Sequence, residues 1–334
     1  METLLLSTVT PVYRGGRYLP ELVDALQAVR LDLRARQIPV ELLEAIFVDD
    51  AAVDDSVSIL RELQRTRPWI RIVQLSRNFG QHGATAAGIL HSSGHWVATL
   101  DEDLQHNPRH LLTLLLHAAA SGKDVVYGGS EGRVHRSAFR NRSSRTYKTL
   151  LGWVAGNPFI PSFSSFRMMR GSVVRGACAV STHDTYFDVV LTWFTSRIDS
   201  LPLPLIDVRS EAGEESGYNL KRLLAHARRM LISSEIRPLR FASTIGAMTV
   251  ILSLFLAAGI VILKLFRPEI IHLRGWASLM MTIGFFGGLT AFLLGVVLEY
   301  MSTVVLHALG KPTFFVVDRS LDAVLLPFAG APAP

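Results

Sequence analysis

The chain has 334 residues, 49% hydrophobic and 19% charged, with a mean hydropathy of +0.31, a composition that excludes disordered, collagenous and low-complexity classes. The single cysteine, Cys178, excludes a disulfide framework and a cysteine-ligated zinc site and fits a reducing, cytosol-facing setting. A net charge of +6 and a pI near 9.7 favour an anionic partner, which could be a membrane surface, a phosphorylated ligand or nucleic acid.

Strands and helices alternate from the start. Leu4 to Val9 is an apolar run closed by Thr10-Pro11 and reads as a buried strand. Tyr18 to Gln37 has helical spacing through Leu19, Leu22, Leu26, Val29 and Leu33. Leu42 to Val48 is a second strand that ends in Asp49-Asp50, and Asp54 or Asp55 can cap a helix reaching about Arg67. Ile70 to Leu75 is a third strand, followed by Arg77-Asn78-Phe79-Gly80 and an alanine-rich helix to about His91. His95 to Leu100 is a fourth, ending in Asp101-Glu102-Asp103. Pro108 opens another helix, and Asp124 to Tyr127 is a further strand. This order predicts an α/β domain with a mostly parallel sheet and helices on both faces.

The apolar excess sits near the C-terminus. Phe241 to Leu263 and Gly275 to Leu298 contain no Asp, Glu, Lys or Arg. Each run exceeds twenty residues, enough at ~1.5 Å per residue to span a ~30 Å hydrocarbon layer. Buried core helices are the alternative, but they seldom run so long without charge. The short Arg267-Pro268-Glu269 to Arg274 connection makes the pair a hairpin. Lys221, Arg222, Arg228, Arg229, Arg237 and Arg240 before it, with Lys311 and Arg319 after it, place both termini on the cytoplasmic side. The N-terminal residues lack the pattern of a signal peptide. Lys221 to Arg240 reads as an amphipathic surface helix or an ordinary domain helix. The expected layout is a cytosolic domain over 1–215, a juxtamembrane helix over 216–240, two membrane helices at about 241–265 and 275–299, and a cytosolic tail over 301–334.

Polar residues gather at one sheet edge. Thr10, Tyr13, Asp49, Asp50, Arg77, Asp101 and Asp103 all follow C-terminal ends of strands, where open α/β sheets bind ligands. No G-x-G-x-x-G or G-K-[ST] loop follows the first strand, so phosphates must be held by other means. Asp101-Glu102-Asp103-Leu104-Gln105 supplies hard oxygen donors suited to Mg²⁺ or Mn²⁺, which commonly share their shell with substrate phosphates. A solvated acidic turn is the plainer reading of the same residues. Four carboxylates on one edge repel one another unless a cation or hydrogen-bond donors meet them.

The order of these motifs resembles the family 2 glycosyltransferases of GT-A fold, and among them the membrane-tethered polyprenyl-phosphate glycosyltransferases. The matching stretches are Thr10-Pro11-Val12-Tyr13, Val48-Asp49-Asp50 with Asp54, Ser76 to Gly80, and Asp101 to Gln105 with Pro108. Tyr127-Gly128, Phe166-Arg167-Met168, Ser216-Gly217-Tyr218, Pro238-Leu239-Arg240 and the hairpin continue the match. The resemblance implies an inverting transfer from a UDP- or GDP-linked sugar to a polyprenyl phosphate. It implies a nucleotide-sugar site of Pro11, Tyr13, Asp50, Arg77 and Asp101, with Asp101 and Asp103 as catalytic residues. Asp101, Asp103 and Gln105 would hold Mg²⁺ or Mn²⁺. The basic stretch from Arg133 would grip the lipid phosphate through Arg133, Arg140 and Ser144. Membrane lipids and a homo-oligomer, a tetramer in some relatives, are further implied partners; nucleic acid is not.

Several positions depart from the pattern, among them Gly129-Ser130, which stand where the family has its first arginine after Tyr-Gly. Ala51-Ala52 stand where the family has Gly-Ser, and alanine is disfavoured if that turn needs a positive φ. Ser165 stands where an acid often precedes Phe-Arg, which puts a protein-supplied base in doubt. A phosphate monoester, with a second pKa of ~6, can attack without one. Glu211 stands where relatives often carry arginine. A processive polysaccharide synthase remains an alternative, although two helices are few and no Gln-x-x-Arg-Trp occurs. A non-catalytic nucleotide-sugar or lipid-binding relative is another. Trp153 and Trp193 read as interfacial anchors or core, Cys178 as a small buried apolar residue, and the clustered histidines as structural or solvated.

Overall fold

In the computed structural model the described residues are 3–130, 157–181, 185–204 and 275–308, with Phe314 and eight positions between 248 and 266. The apolar runs read as strands form β1 (Leu4–Val12), β2 (Val40–Asp49), β3 (Ile70–Gln74) and β4 (Trp96–Thr99). They pair in parallel in the order β3-β2-β1-β4. The intervening segments are α1 (Leu19–Ala35), α2 (Ser56–Thr66) and α3 (Gln81–Leu90). Both predicted cappers of α2 are placed: Asp55 is at the N-cap without a side-chain cap bond, while Asp54 accepts from the Ser56 amide at 3.2 Å. Pro108 opens a 3₁₀ turn, Pro108–His110, and α4 begins at Leu111 and runs to Ser121.

The far half of the sheet adds one antiparallel strand to the expected, mostly parallel order. β5 (Val125–Ser130) is followed by β6 (Arg167–Arg170), α5 (Gly171–Val180), α6 (Phe187–Phe194) and β7 (Ile198–Leu203). β6 inserts antiparallel between β4 and β5, and β7 adds parallel to β5, giving a seven-stranded mixed sheet β3-β2-β1-β4-β6-β5-β7. Pro202 sits in β7 at the sheet edge, where its missing N–H costs no ladder bond to a further strand.

Alternation of side chains along the strands builds a core on each face. Val9, Ile46, Val48, Val97 and Met169 face α3, α5 and α6; Leu6, Phe47, Ala98, Val126 and Met168 face α1 and α4. Gly88 lets α3 lie directly on Val9 and Val48, whose side chains a Cβ there would overlap. Phe314, beyond the last described helix, packs against the first of these cores.

That last helix, α7, runs from Trp276 to Ala308, 33 residues or about 50 Å at ~1.5 Å per residue. Most of its described apolar side chains lie outward, Phe285 at 65% and Leu298 at 60% exposure, while Phe286, Leu289, Leu293, Val296 and Tyr300 are half-buried. Among the described residues alone no helix is long and apolar enough to cross a membrane. The predicted first span and the Lys221 to Arg240 helix lie largely or wholly outside the described residues. Trp193 is 52% exposed and is not a core residue; Cys178 is buried, as expected.

Candidate active site

A cleft of about 740 Å³ opens at the C-terminal ends of β1, β2 and β4, within the range of small-ligand sites. Pro11, Val12, Tyr13, Asp50, Asn78, Gly80, Gln81, Asp101, Glu102 and Asp103 line it. Five of these, Pro11, Tyr13, Asp50, Asp101 and Asp103, are residues the sequence had singled out.

Each acid is met by donors. Asp49 accepts from the Ala52 amide at 2.7 Å and from Gln74 at 3.2 Å. Asp50, 3% exposed, accepts from the Phe79 and Gly80 amides at 2.7 and 2.9 Å, which ties the β3–α3 loop to β2. Burial raises the Asp50 carboxyl above its ordinary range, with Asp49 adding to the rise; the two amides and Arg77 act against it. Asp101 accepts from Gln81 Nε2 at Oδ1 and from Ser165 Oγ at Oδ2, both at 2.7 Å. Asp103, 4% exposed, accepts from the Gln105 amide at 3.2 Å. Glu102 accepts from the Tyr13 and Arg14 amides at 3.0 and 3.2 Å and so ties the two loops together.

Two residues beside the acids are bent into the left-handed region. Ala51 has φ +54° and Leu104 φ +63°. The turn after Asp50 therefore takes the conformation glycine would favour, despite its alanine. The strain, of order 1–2 kcal/mol per non-glycine residue, lies where the chain must turn to present its acids.

Behind Asp101 lies a buried histidine. His106 Nδ1 accepts from the Asp101 amide at 3.1 Å, and its ring stacks on Phe166 at 5.0 Å. Burial lowers the His106 pKa although Asp101 and Asp103 oppose it, which keeps Nδ1 free to accept. Arg77 does not reach the acids; its guanidinium stacks 4.2 Å over the Phe79 ring and it is not among the residues lining the cleft. Gln105 enters through its backbone amide and is likewise not among the lining residues. Arg133, Arg140 and Ser144 lie outside the described residues.

The donor set fits a divalent ion of the magnesium type. Among the described residues no group of three His, Cys, Asp or Glu side chains forms a preassembled cage. Mg²⁺ is usually held by one or two carboxylates, with waters and substrate phosphates completing its shell. Asp101 and Asp103 supply that many carboxylates at the cleft wall.

Sequence reasoning gave no role to Gln81, Asn78, Glu102 or His106. Asn78 and Gly80 lay within a quoted motif, but Gln81 needed the α3 packing to bring it to Asp101. Ser165 stands out in the sequence only as a departure from the family pattern, and its contact depends on the antiparallel strand β6.

The Glycosyl transferase family 2 profile matches residues 7–175, just over half of the chain and all of the cleft. The protein belongs to this family of glycosyltransferases. Its relatives include the undecaprenyl-phosphate 4-deoxy-4-formamido-L-arabinose transferase of Edwardsiella ictaluri (strain 93-146), 30% identical over 312 residues that cover 93% of this chain and 92% of that protein. The enzyme of the same name from Pseudomonas savastanoi pv. phaseolicola is 28% identical across 98% of this chain and 97% of its own length. The solved structure of glucosyl-3-phosphoglycerate synthase from Mycobacterium tuberculosis with Mn²⁺, UDP and phosphoglyceric acid aligns at 16% identity and a TM-score of 0.45, covering 69% of this chain and 77% of that one.

Proposed function

We propose that this chain is a membrane-anchored, metal-dependent inverting glycosyltransferase of GT-A fold that moves a sugar from a UDP- or GDP-sugar to a polyprenyl phosphate. The observation that carries the proposal is the cleft itself, where Asp101 and Asp103 stand beside Pro11, Tyr13 and Asp50 at the strand ends. Relatives named as undecaprenyl-phosphate sugar transferases, matched over nine-tenths of the chain, support the polyprenyl acceptor.

In this reading Pro11, Tyr13 and Asp50 bind the base and ribose, with Arg77 nearby. Asp101 and Asp103 would hold Mg²⁺ or Mn²⁺, with Gln105, which lies just outside the cleft lining, as a further oxygen donor, and the ion would supply positive charge for the donor diphosphate. The bound ion would neutralise the charge that grows on the departing nucleoside diphosphate. Arg133, Arg140 and Ser144 grip the acceptor phosphate, bidentately where an arginine meets two oxygens. An acceptor oxygen forms the new bond to the anomeric carbon as the bond to the diphosphate breaks from the opposite side. The acceptor is already anionic near neutral pH, so the site needs no base at Ser165.

Two charge-free runs, Phe241 to Leu263 and Gly275 to Leu298, anchor the protein in the cytoplasmic membrane, and the outward apolar side chains of α7 are those a lipid environment would cover. The basic flanks place the catalytic residues and both termini on the cytosolic side. The lipid-linked sugar then serves a transferase that acts across the membrane.

The test is to incubate membranes containing the protein with candidate nucleotide-sugars, Mg²⁺ or Mn²⁺ and undecaprenyl phosphate. An organic-extractable, charged lipid-sugar is the expected product. Polymer would replace the reading with a processive synthase, and no product from any donor would point to a non-catalytic binding protein.

A further inference from the structure

We propose that Ser165 is a positioning residue that fixes the Asp101 carboxylate for the divalent ion. The inference rests on the metal reading of the cleft given above.

Asp101 lies just past the end of β4, where no ladder bond orients its side chain. Two neutral donors take over that task. Gln81 Nε2 donates to Oδ1 from the first turn of α3, and Ser165 Oγ donates to Oδ2 from the segment before β6. The donors differ in freedom. Gln81 is exposed and reaches Asp101 through a long side chain, whereas Ser165 is half-buried and short.

Ser165 is itself pinned. Its carbonyl accepts from Thr99 Oγ1 at 2.7 Å and from Arg167 Nη1 at 3.1 Å. Arg167 is in turn clamped by Asp188 through two bonds of 2.6 and 2.7 Å, and the Tyr127 hydroxyl donates to the same carboxylate at 3.0 Å. Burial alone would lower the Arg167 pKa, but Asp188 outweighs it and holds the guanidinium above its ordinary value, so this anchor is permanently charged. The strand pairing explains the placement. β4 and β6 are antiparallel with Thr99 opposite Arg167, and continuing that register by two residues brings Ser165 opposite Asp101.

A serine hydroxyl at this point orients a carboxylate without adding charge. A hydrogen bond to an ionised acceptor is stronger than a neutral one, and each oxygen of Asp101 keeps a further lone pair for a cation. A carboxylate in place of Ser165 would instead set two anions within hydrogen-bond distance. Among the described residues, a methyl group would leave Gln81, which is exposed, as the one side-chain donor to the Asp101 carboxylate. Partners that orient a metal ligand typically change metal affinity by about 10–100-fold when removed. Ser165→Ala belongs at the lower end of that range because Gln81 remains.

The experiment uses the full chain in detergent and titrates Mn²⁺ by electron paramagnetic resonance in the presence of UDP, with GDP in parallel. Wild type should retain Mn²⁺. S165A should retain it about tenfold more weakly at an unchanged melting temperature, and S165T, which keeps the hydroxyl, should restore it. Mn²⁺ affinity in S165A equal to wild type would overturn the inference. So would a loss that S165T does not repair and that follows a fall in melting temperature. If wild type itself retains no Mn²⁺ with either nucleotide, the metal reading of the cleft fails and this inference goes with it.

Discussion

Two sets of carboxylates lie in and around one sheet, and the protein treats them oppositely. In the interior, Asp188 meets a guanidinium and a tyrosine hydroxyl and is 1% exposed. Glu44, buried at the opposite end of the strands, meets Ser7 Oγ, the Ser93 amide and Arg71 at 2.8, 2.7 and 2.6 Å. At the cleft, Asp50 and Asp103 accept from backbone amides and Asp101 from two neutral side chains, and all three line an open space. An acid matched by an arginine has its charge spent inside the fold. An acid held by neutral donors is oriented but keeps its charge, as the proposed metal role of Asp101 and Asp103 requires.

If the distinction holds, the two sets respond differently to substitution. The largest stability loss belongs to Asp188→Ala, which strands Arg167 as an unpaired buried cation and should cost about 3–5 kcal/mol in urea or thermal unfolding. A loss below about 1 kcal/mol would mean that water reaches Arg167 and that the interior pair is not closed.

Glu44→Gln should cost less, about 1–2 kcal/mol, because Arg71 is partly exposed and its ion pair is screened. Burial alone would raise the Glu44 carboxyl, but its bonds from Arg71, Ser93 and Ser7 together hold it below the ordinary range. A depressed carboxylate adds stability above its unfolded pKa of ~4.3 and loses it as the pH falls through the lower folded value. The gap between wild type and variant should therefore be full at neutral pH and shrink on acidification below that range. A gap that is flat with pH would show that charge at Glu44 is not what stabilises.

The smallest effect sharpens the cleft side. Ala51 holds φ +54° beside Asp50. Ala51→Gly should raise stability by up to about 1 kcal/mol, the relief of left-handed strain less the added chain entropy of glycine. Destabilisation instead would show that the alanine methyl makes contacts worth more than the strain.

Much of this was legible in the sequence, for identifiable reasons. The first four strands are mostly apolar runs closed by polar or turn-forming residues, so their existence could be read, and so could the acids that follow β2 and β4. β6 could not. Arg167-Met168-Met169-Arg170 has no β-branched residue and no alternation beyond four positions, and its pairing with β4 joins residues about 70 apart. β7 contains Pro202, which argues against a strand until its edge position is known. The site divides in the same way. Asp101 and Asp103 announce themselves through spacing at a strand end. Gln81 and Ser165, the donors that orient Asp101, are contributed by a helix start and by the unforeseen antiparallel strand, contacts set by three-dimensional packing alone.

The central claim is that an ion held at Asp101 and Asp103 drives sugar transfer to a lipid phosphate. It is tested most directly by measuring lipid-linked sugar formed from undecaprenyl phosphate by wild type and by Asp103→Asn, each with Mn²⁺, with Mg²⁺ and after chelation. Wild type should form product only with a divalent ion. The variant should fall by at least about a hundredfold, the scale on which removing one charge-stabilising group acts, while melting at the wild-type temperature. Full-rate product from the chelated enzyme, or from Asp103→Asn, would contradict the account.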